Sequence, residues 1–441
     1  MRFHRRQHND RIIIFGRYPR PGKVKTRLIP TLGSAGAAEL QRRVTEKTFK
    51  TALEAASDRN IDVEFRFEGG REDEMRRWLG INIFFSEQEA GGLGERMHHA
   101  FKKAFKEGCR RVVLVGTDIP GLKPDHLREA FTALKDSDLV LGPSTDGGYW
   151  VIGLKKAYDL FQGVEWGTGK VLNQTLALAD WMGLTSDLLG PLRDLDTVED
   201  LRQWGPETVK PGPYMSVIIP TLNEANYIEE TIERALDEDA EIIVVDGGSR
   251  DDTIRKATDL GVRVEASPPG RAKQQNHGAA VARGGVLLFL HADTWLPKGY
   301  VSRVFETLLD SKTAVGAFRF KTDTDHWMMK AVDLMTNLRA RALKMPYGDQ
   351  ALFMRKAMFE SVAGFPDVPI VEDLFLVRRL AKEGCVRIVT APVITSARRW
   401  QTLGVVRTSL INVVIATAVT LGFSPRRFVS LYRNDKTHRQ S

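Results

Sequence analysis

The sequence predicts an α/β protein of two tandem domains, each a mostly parallel sheet flanked by helices. Three observations carry that reading. Short β-branched runs alternate with helical patterns, which is the signature of crossover units. The alternation breaks over residues 205–213, GPETVKPGP, where three prolines and two glycines mark a linker or domain edge. It then restarts. The 441 residues suit two or three domains at roughly 150–200 each, and either half is long enough to bury its own core. The expected domains are 1–207 and 208–441.

In the first half IIIF (12–15), DVEFRF (62–67), INIFF (81–85), RVVLVG (111–116) and DLVLG (138–142) read as strands. Residues 37–56, 95–107 and 124–135 read as helices between them. In the second half SVIIP (216–220), EIIVVDGG (241–248), VRVEAS (262–267) and VLLFLHAD (286–293) read as strands. Ile228, Ile232 and Leu236 stack at four-residue steps and predict a helix over 224–236. A further helix over about 326–345 carries Met328, Met329, Met335 and Met345. Core packing is the favoured reading of that stripe, and an apolar acceptor groove is the other.

The formal net charge of +8 and pI near 9.3 fit acidic ligands such as nucleotides and phosphorylated substrates. The positive residues are spread along the chain, and no familiar nucleic-acid-binding motif is present, so nucleic acid is not an expected partner. Cys109 and Cys385 each follow Lys-Glu-Gly before an apolar run. Both read as buried strand thiols, and the absence of a disulfide or metal spacing predicts a reducing cytoplasm. The basic start, MRFHRRQHNDR, has no long apolar run behind it and does not read as a secretory signal. The apolar stretch 410–423 falls short of the ~20 residues a spanning helix needs. A buried core helix is favoured there over membrane-surface contact.

In open α/β sheets ligands bind beyond the carboxyl ends of the strands. Three acidic positions fall there in the second half: Asn223-Glu224, Asp246 followed by Gly247 and Gly248, and Asp293. Such carboxylates can hold a base, a ribose or a metal. The plain alternative is that Asp246 and Asp293 cap turns. No Gly-x-Gly-x-x-Gly follows any strand, which argues against a nicotinamide site.

The strings SVIIPTLNE (216–224), VVDGGSRDDT (244–253), GRAKQQNHGA (270–279), LFLHAD (288–293), GDQALFMR (348–355) and VEDLFLVRRL (371–380) stand in one order. With them residues 215–400 resemble an inverting family 2 glycosyltransferase of the GT-A fold, nearest the enzymes associated with arsenosugar biosynthesis and the carotenoid-acid glycosyltransferases. The resemblance implies a nucleotide-sugar donor, most often a uridine one. It implies donor contacts from Pro220, Thr221, Asn223, Glu224, Asp246, Gly247, Arg271, Lys273, Asp293, Arg399 and Trp400. It implies a divalent metal, Mn²⁺ or Mg²⁺, on Asp293. His291 stands where the family has a first aspartate, and imidazole suits Mn²⁺ better. Asp373, paired with Glu372, would take the acceptor's proton, a step of ~10²–10⁴-fold. The plain alternative for that pair is a helix start that favours the dipole. The acceptor, a small molecule or a lipid, is left open.

In the first half Lys23, Lys25 and Arg27 follow the first strand, in a loop that lacks the Gly-Lys-Ser/Thr ending of a Walker loop. Asp118 and Asp146 follow later strands. PGKVKTRL, GGLGERM (91–97), GTDIPGL (116–122), GPSTDGGYWVIGL (142–154), EWGT (165–168) and DLDT (194–197) resemble an uncharacterised GT-A-like family. That family is related to the guanylyltransferases of molybdenum cofactor and phospholactate. By this resemblance Lys25 and Arg27 contact phosphates, while Asp118 and Asp146 approach a metal-bound polyphosphate. The half is then either an active nucleotidyltransferase or a non-catalytic binding module. A chain with no chemistry at all requires Asp293, Glu372 and Asp373 to be incidental.

Overall fold

The computed structural model describes residues 10–57, 60–80, 83–204, 213–421 and 423–429. The basic start through Asn9, Ile81-Asn82 and residues 205–212 of the Gly/Pro stretch lie outside the described residues. The chain divides into two compact units, Met1–Pro211 and Gly212–Ser441.

The first unit holds strands β1 Asp10–Arg17, β2 Ile61–Glu68, β3 Phe84–Glu87, β4 Arg111–Gly116, β5 Leu139–Pro143, β6 Tyr149–Leu154 and β7 Ser186–Leu188. Their order in the sheet is β3-β2-β1-β4-β6-β5-β7, parallel except where β6 runs against β4 and β5. The helix over Ile29–Ala56 starts earlier than its apolar period suggested and kinks at Gly33, whose φ is 70°.

The second unit holds β8 Met215–Thr221, β9 Ala240–Asp246, β10 Arg263–Ala266, β11 Val286–Phe289, β12 Thr294–Trp295, β13 Thr313–Thr322, β14 Leu352–Arg355 and β15 Cys385–Thr395. The order is β10-β9-β8-β11-β14-β13-β15-β12. Setting aside the two-residue β12, this is the first sheet's order repeated: third, second, first, fourth, sixth, fifth, seventh. The antiparallel strand β14 takes the place of β6. Two mostly parallel α/β sheets in tandem, as the sequence predicts, therefore share one topology.

Packing fixes the second sheet tightly. The helix Arg271–Val281 lies hard against β8 and β9. A Cβ added at Gly278 would stand 2.5 Å from Ile218 Cγ2, so only glycine lets the helix approach. Ile218, Ile243, Val245, Leu287 and Phe289 fill the space beneath and between the strands. Each such buried side chain is worth ~1.5–3 kcal/mol.

Four expectations are corrected. The predicted helix over 224–236 spans only Ile228–Ala235. The segment before it is held as a turn: Thr253 Oγ1 accepts from the Glu224 amide at 2.8 Å, and Asp251 accepts from the Ala225 amide at 3.2 Å. Cys109 is buried but precedes β4, and Cys385 is only half-buried at the first residue of β15. Of the four methionines near the helix Trp327–Ala342 only Met329 is buried, and Met335 is exposed. The helix Val405–Thr420 buries Ile411, Ile415 and Val419 but exposes Val406, Leu410 and Val413, so it is a core helix on one face only.

Candidate functional site

In the second unit the carboxyl ends of β8 and β11 open onto a cavity of about 470 Å³. Pro220, Glu224, Arg271, His291, Asp293, Asp373, Arg399 and Trp400 line it, as do Tyr347, Asp349 and Arg398. Thr221, Asn223, Asp246, Gly247, Lys273 and Glu372 are outside its wall. Eight of the site residues named from the sequence thus meet in one place, while Asp246 and Glu372 are buried next to it and Lys273 is exposed outside it.

The loop after β8 is ordered by its neighbour after β9. Asp246 is buried, and its Oδ2 accepts from the amides of Gly248 at 2.7 Å and Ser249 at 2.9 Å. Its Oδ1 accepts from the Ser249 hydroxyl. The turn-capping alternative describes this carboxylate as the geometry stands. Asn223 sits in the left-handed region, φ 57°, and accepts from the Arg250 amide at 2.8 Å. Gln274 donates to the carbonyls of Thr221 and Val245, both at 2.8 Å. These bonds present Glu224 to the cavity.

Glu224 and Asp293 share one cation. Arg398 Nη2 donates to Glu224 Oε1 at 2.8 Å and lies 2.9 Å from Asp293 Oδ2, while Nη1 lies 2.8 Å from Glu224 Oε2. The guanidinium also stacks over the Tyr227 ring at 4.5 Å. Burial alone would lower its pKa, but the two carboxylates outweigh that and raise it. The string Arg398-Arg399-Trp400 resembles an Arg-Trp element placed near acceptor and diphosphate, but nothing in it pointed to the pairing of Arg398 with Glu224 and Asp293.

Asp373 stands at the start of the helix Glu372–Glu383. Its Oδ2 accepts from the Gly348 amide at 2.7 Å and its Oδ1 from the Leu374 amide at 2.8 Å. The helix is entered through Val371 at φ 56°, a costly conformation for a β-branched residue and of the kind found at functional sites. His291 faces the same spot: a Cβ added at Gly348 would lie 2.9 Å from His291 Nε2 and 3.3 Å from Asp373 Oδ2. Glu372 is buried and lies 3.5 Å from Arg271 Nη1. Burial and the neighbouring Asp373 raise its pKa against the pull of Arg271. Its place is beneath the cavity, holding Arg271. Asp349, which sequence reasoning left without a role, lines the wall. Its Oδ1 is buried without a hydrogen-bond partner, and burial pushes its pKa up to about 6.

Among the described residues no group of three His, Cys, Asp or Glu side chains is placed to hold a metal. A cation that carries a diphosphate needs only one or two carboxylates and takes its other ligands from phosphate and water. Asp293 fits that requirement, in competition with Arg398 for its Oδ2.

The first unit has its own cavity, about 500 Å³, at the ends of β1 and β4. Lys25, Arg27, Asp118 and Asp146 all line it, together with Arg17, Arg96, Asp194 and Asp196. Lys25, in the left-handed region at φ 46°, has a side chain only 3% exposed. Its ammonium lies 2.5 Å from Asp118 Oδ1 and 2.8 Å from Asp196 Oδ1, and donates to the Leu195 carbonyl at 2.6 Å. Burial alone would lower its pKa; the two aspartates outweigh that and raise it. Lys25 therefore neutralises carboxylates at the cavity wall, and exposed Arg27 lines the same cavity. Asp146 sits in the β5–β6 turn, accepting from the Gly148 amide at 3.0 Å. Burial and the charges of Asp146, Asp196 and Asp200 push Asp194 up to about 6.

Comparison with known proteins agrees with this division. Residues 216–361 match the model of glycosyl transferase family 2. Residues 51–168 match a family described as an uncharacterized protein conserved in bacteria. Glycosyltransferase AglE of Haloferax volcanii is 27% identical over 175 residues, covering 35% of this chain and 57% of that protein. An uncharacterized protein of Mycobacterium tuberculosis is 29% identical over 137 residues, covering 29% and 43%. The chain thus spans about half the length of these curated relatives. Among solved structures, a Desulfovibrio desulfuricans protein assigned to the nucleotide-diphospho-sugar transferases is 35% identical, covering 45% of this chain and 87% of that one, with a TM-score of 0.42. Mannosyltransferase PcManGT of Pyrobaculum calidifontis, solved with GDP-Man and Mn²⁺, is 18% identical, covering 51% and 71%, with a TM-score of 0.39.

Proposed function

We propose that the C-terminal unit, whose residues 216–361 form a family 2 glycosyltransferase domain, moves a sugar from a nucleotide-sugar donor to an acceptor hydroxyl with inversion. A UDP-sugar is the expected donor. The observation that carries this reading is the meeting of Asp373, Asp293 and the arginines 271, 398 and 399 in one cavity.

Asp373 takes the proton from the acceptor hydroxyl. The acceptor oxygen bonds to the anomeric carbon from the face opposite the diphosphate, and the bond from that carbon to the diphosphate oxygen breaks. Asp373 is suited to this because two backbone amides fix its carboxylate while leaving lone pairs toward the cavity. Arg271, Arg398 and Arg399 offset the charge that develops on the leaving diphosphate. Asp293, with His291 beside it, would hold a divalent metal, Mn²⁺ or Mg²⁺, which supplies further charge neutralisation on the diphosphate. Glu224 and the Asn223–Asp246 loop pair would receive the nucleoside.

The N-terminal unit is read as a second nucleotide or nucleotide-sugar site, on the strength of a cavity lined by Arg17, Arg27, Arg96 and four aspartates. Pyrophosphate released from an NTP and a sugar phosphate would make it a nucleotidyltransferase. No release with any pair would make it a binding module.

The test for the C-terminal unit is a donor screen by thermal shift, followed by NMR of the product. A donor at 100 times its dissociation constant adds about 2.7 kcal/mol. Retained anomeric configuration in the product would contradict the single displacement.

A further inference from the structure

We infer that the helices Trp327–Ala342 and Val405–Thr420 form a face that docks the second unit on an anionic bilayer surface. A helix apolar on all sides belongs in an interior. Val405–Thr420 is largely apolar around its circumference, apart from Arg407, Asn412 and its hydroxyl residues, yet only Thr408, Ile411, Ile415 and Val419 are buried. Val406 is 71% exposed, Leu410 62% and Val413 61%. The neighbouring helix repeats the pattern with Trp327 73% exposed and Leu334 68%, followed by Met335 and Leu338. The two helices touch, Val332 and Val405 packing on one cluster around Phe320 and Trp400. Contiguous apolar surface of this kind marks an interaction site.

Charge selects the occupant. From Gln401 to Asn434 the sequence carries four arginines and no carboxylate. Arg407 lies within the helix itself, and Arg426 and Arg427 follow it. The neighbouring helix adds exposed Arg341 and Lys330, the latter 3.7 Å from Asp325, while Arg339 turns inward over the Tyr347 ring and the carboxylate of Asp333 accepts from the Thr322 amide at 3.1 Å. A second copy set on this face would bring arginines against arginines. Anionic headgroups would meet them with opposite charge while the acyl boundary covers the apolar side chains. Among the described residues no helix is long and apolar enough to cross a membrane, so the contact lies on the surface.

The face is also joined to the cavity. Asn412, Ile415 and Ala416, on the inner side of the same helix, line the cavity wall with Trp400 and Leu403. Docking would bring that wall to the bilayer. Only this consequence rests on the proposed sugar transfer; the docking itself does not.

The test is flotation of the full chain with vesicles of phosphatidylcholine alone and with about one third phosphatidylglycerol. Wild type is expected to float with the anionic vesicles. Leu410→Glu with Val413→Glu should weaken binding on the order of 100-fold. Arg407→Ser with Arg426→Ser and Arg427→Ser should remove most of the anionic preference, also on the order of 100-fold. None of these residues lines the cavity, so donor turnover without vesicles should be unchanged and reports that the variants fold. Equal flotation of wild type and the double glutamate variant overturns the inference. So does failure of wild type to float, or a wild-type dimer that the glutamates split, which would make a second copy the occupant. Absent donor turnover in every form would count against sugar transfer and leave the flotation result standing.

Discussion

Arg398 lies 2.9 Å from Asp293 and holds Glu224 through both of its terminal nitrogens. One guanidinium thus ties the strand-end acid after β8 to the strand-end acid after β11. The charge that a metal would supply at Asp293 is, in this arrangement, supplied by arginine.

That competition gives the first prediction. Arg398→Ala should lower kcat/KM for the donor by ~10–100-fold, the worth of a charge-assisted hydrogen bond. The same change should tighten Mn²⁺ binding, because Asp293 Oδ2 is released. Titration of Mn²⁺ against both proteins checks it. A general loss of structure would weaken both quantities together.

Gly348 is the second point. An added Cβ would press on His291 Nε2 at 2.9 Å and on Asp373 Oδ2 at 3.3 Å. Displacement of a reacting group by an ångström can cost ~10²-fold. Gly348→Ala should therefore lower transfer at least about tenfold while thermal melting moves by only a few degrees.

Asp349 makes the fold sensitive to pH in a defined direction. Its carboxyl is raised by burial from 3.8 to about 6, so the folded state binds its proton more tightly than the unfolded chain does. The stabilising contribution of the protonated group is full below pH ~4 and is lost as pH rises to about 6. Asp349→Asn should be more stable than wild type at pH 8 and should lose that advantage toward pH 4. Urea titrations at the two pH values measure it.

Lys25 tests the first unit. Lys25→Met leaves Asp118 and Asp196 facing each other without their cation. The loss should be about 2 kcal/mol, as for removal of a hydrogen-bonded charge. Hydrogen exchange should rise at residues 116–120 and 194–197, while donor turnover by the second unit stays within twofold of wild type.

The sequence made the parallel half of each sheet legible because buried parallel strands are continuous β-branched runs, as in IIVVD and RVVLVG. The half of the second sheet that contains its antiparallel strand β14 was harder to read. β13, β14 and β15 carry arginines and a proline among their apolar residues, and their pairing partners lie far along the chain. The shared strand order of the two units was therefore visible only in the structure. At the site, motif order led to Asp293 and Asp373, since both sit at element ends. The role of Asp349 and the partners of Arg398 were hidden for the opposite reason: they depend on distant groups, Asp373 for the one and Glu224 and Asp293 for the other. Asp246 has a second part that the sequence did not show. Its strand-end position suggested ligand contact, and its oxygens also accept from Gly248 and Ser249 of its own loop, a local role that strand position alone does not reveal.

The central claim is that Asp373 is the base of an inverting sugar transfer, and Asp373→Asn tests it most directly. Asparagine keeps the side chain's shape and cannot accept the proton as a carboxylate does. Donor affinity by calorimetry should stay within about threefold of wild type, while transfer falls by ~10²–10⁴-fold. Transfer at the wild-type rate with donor binding intact would contradict the account.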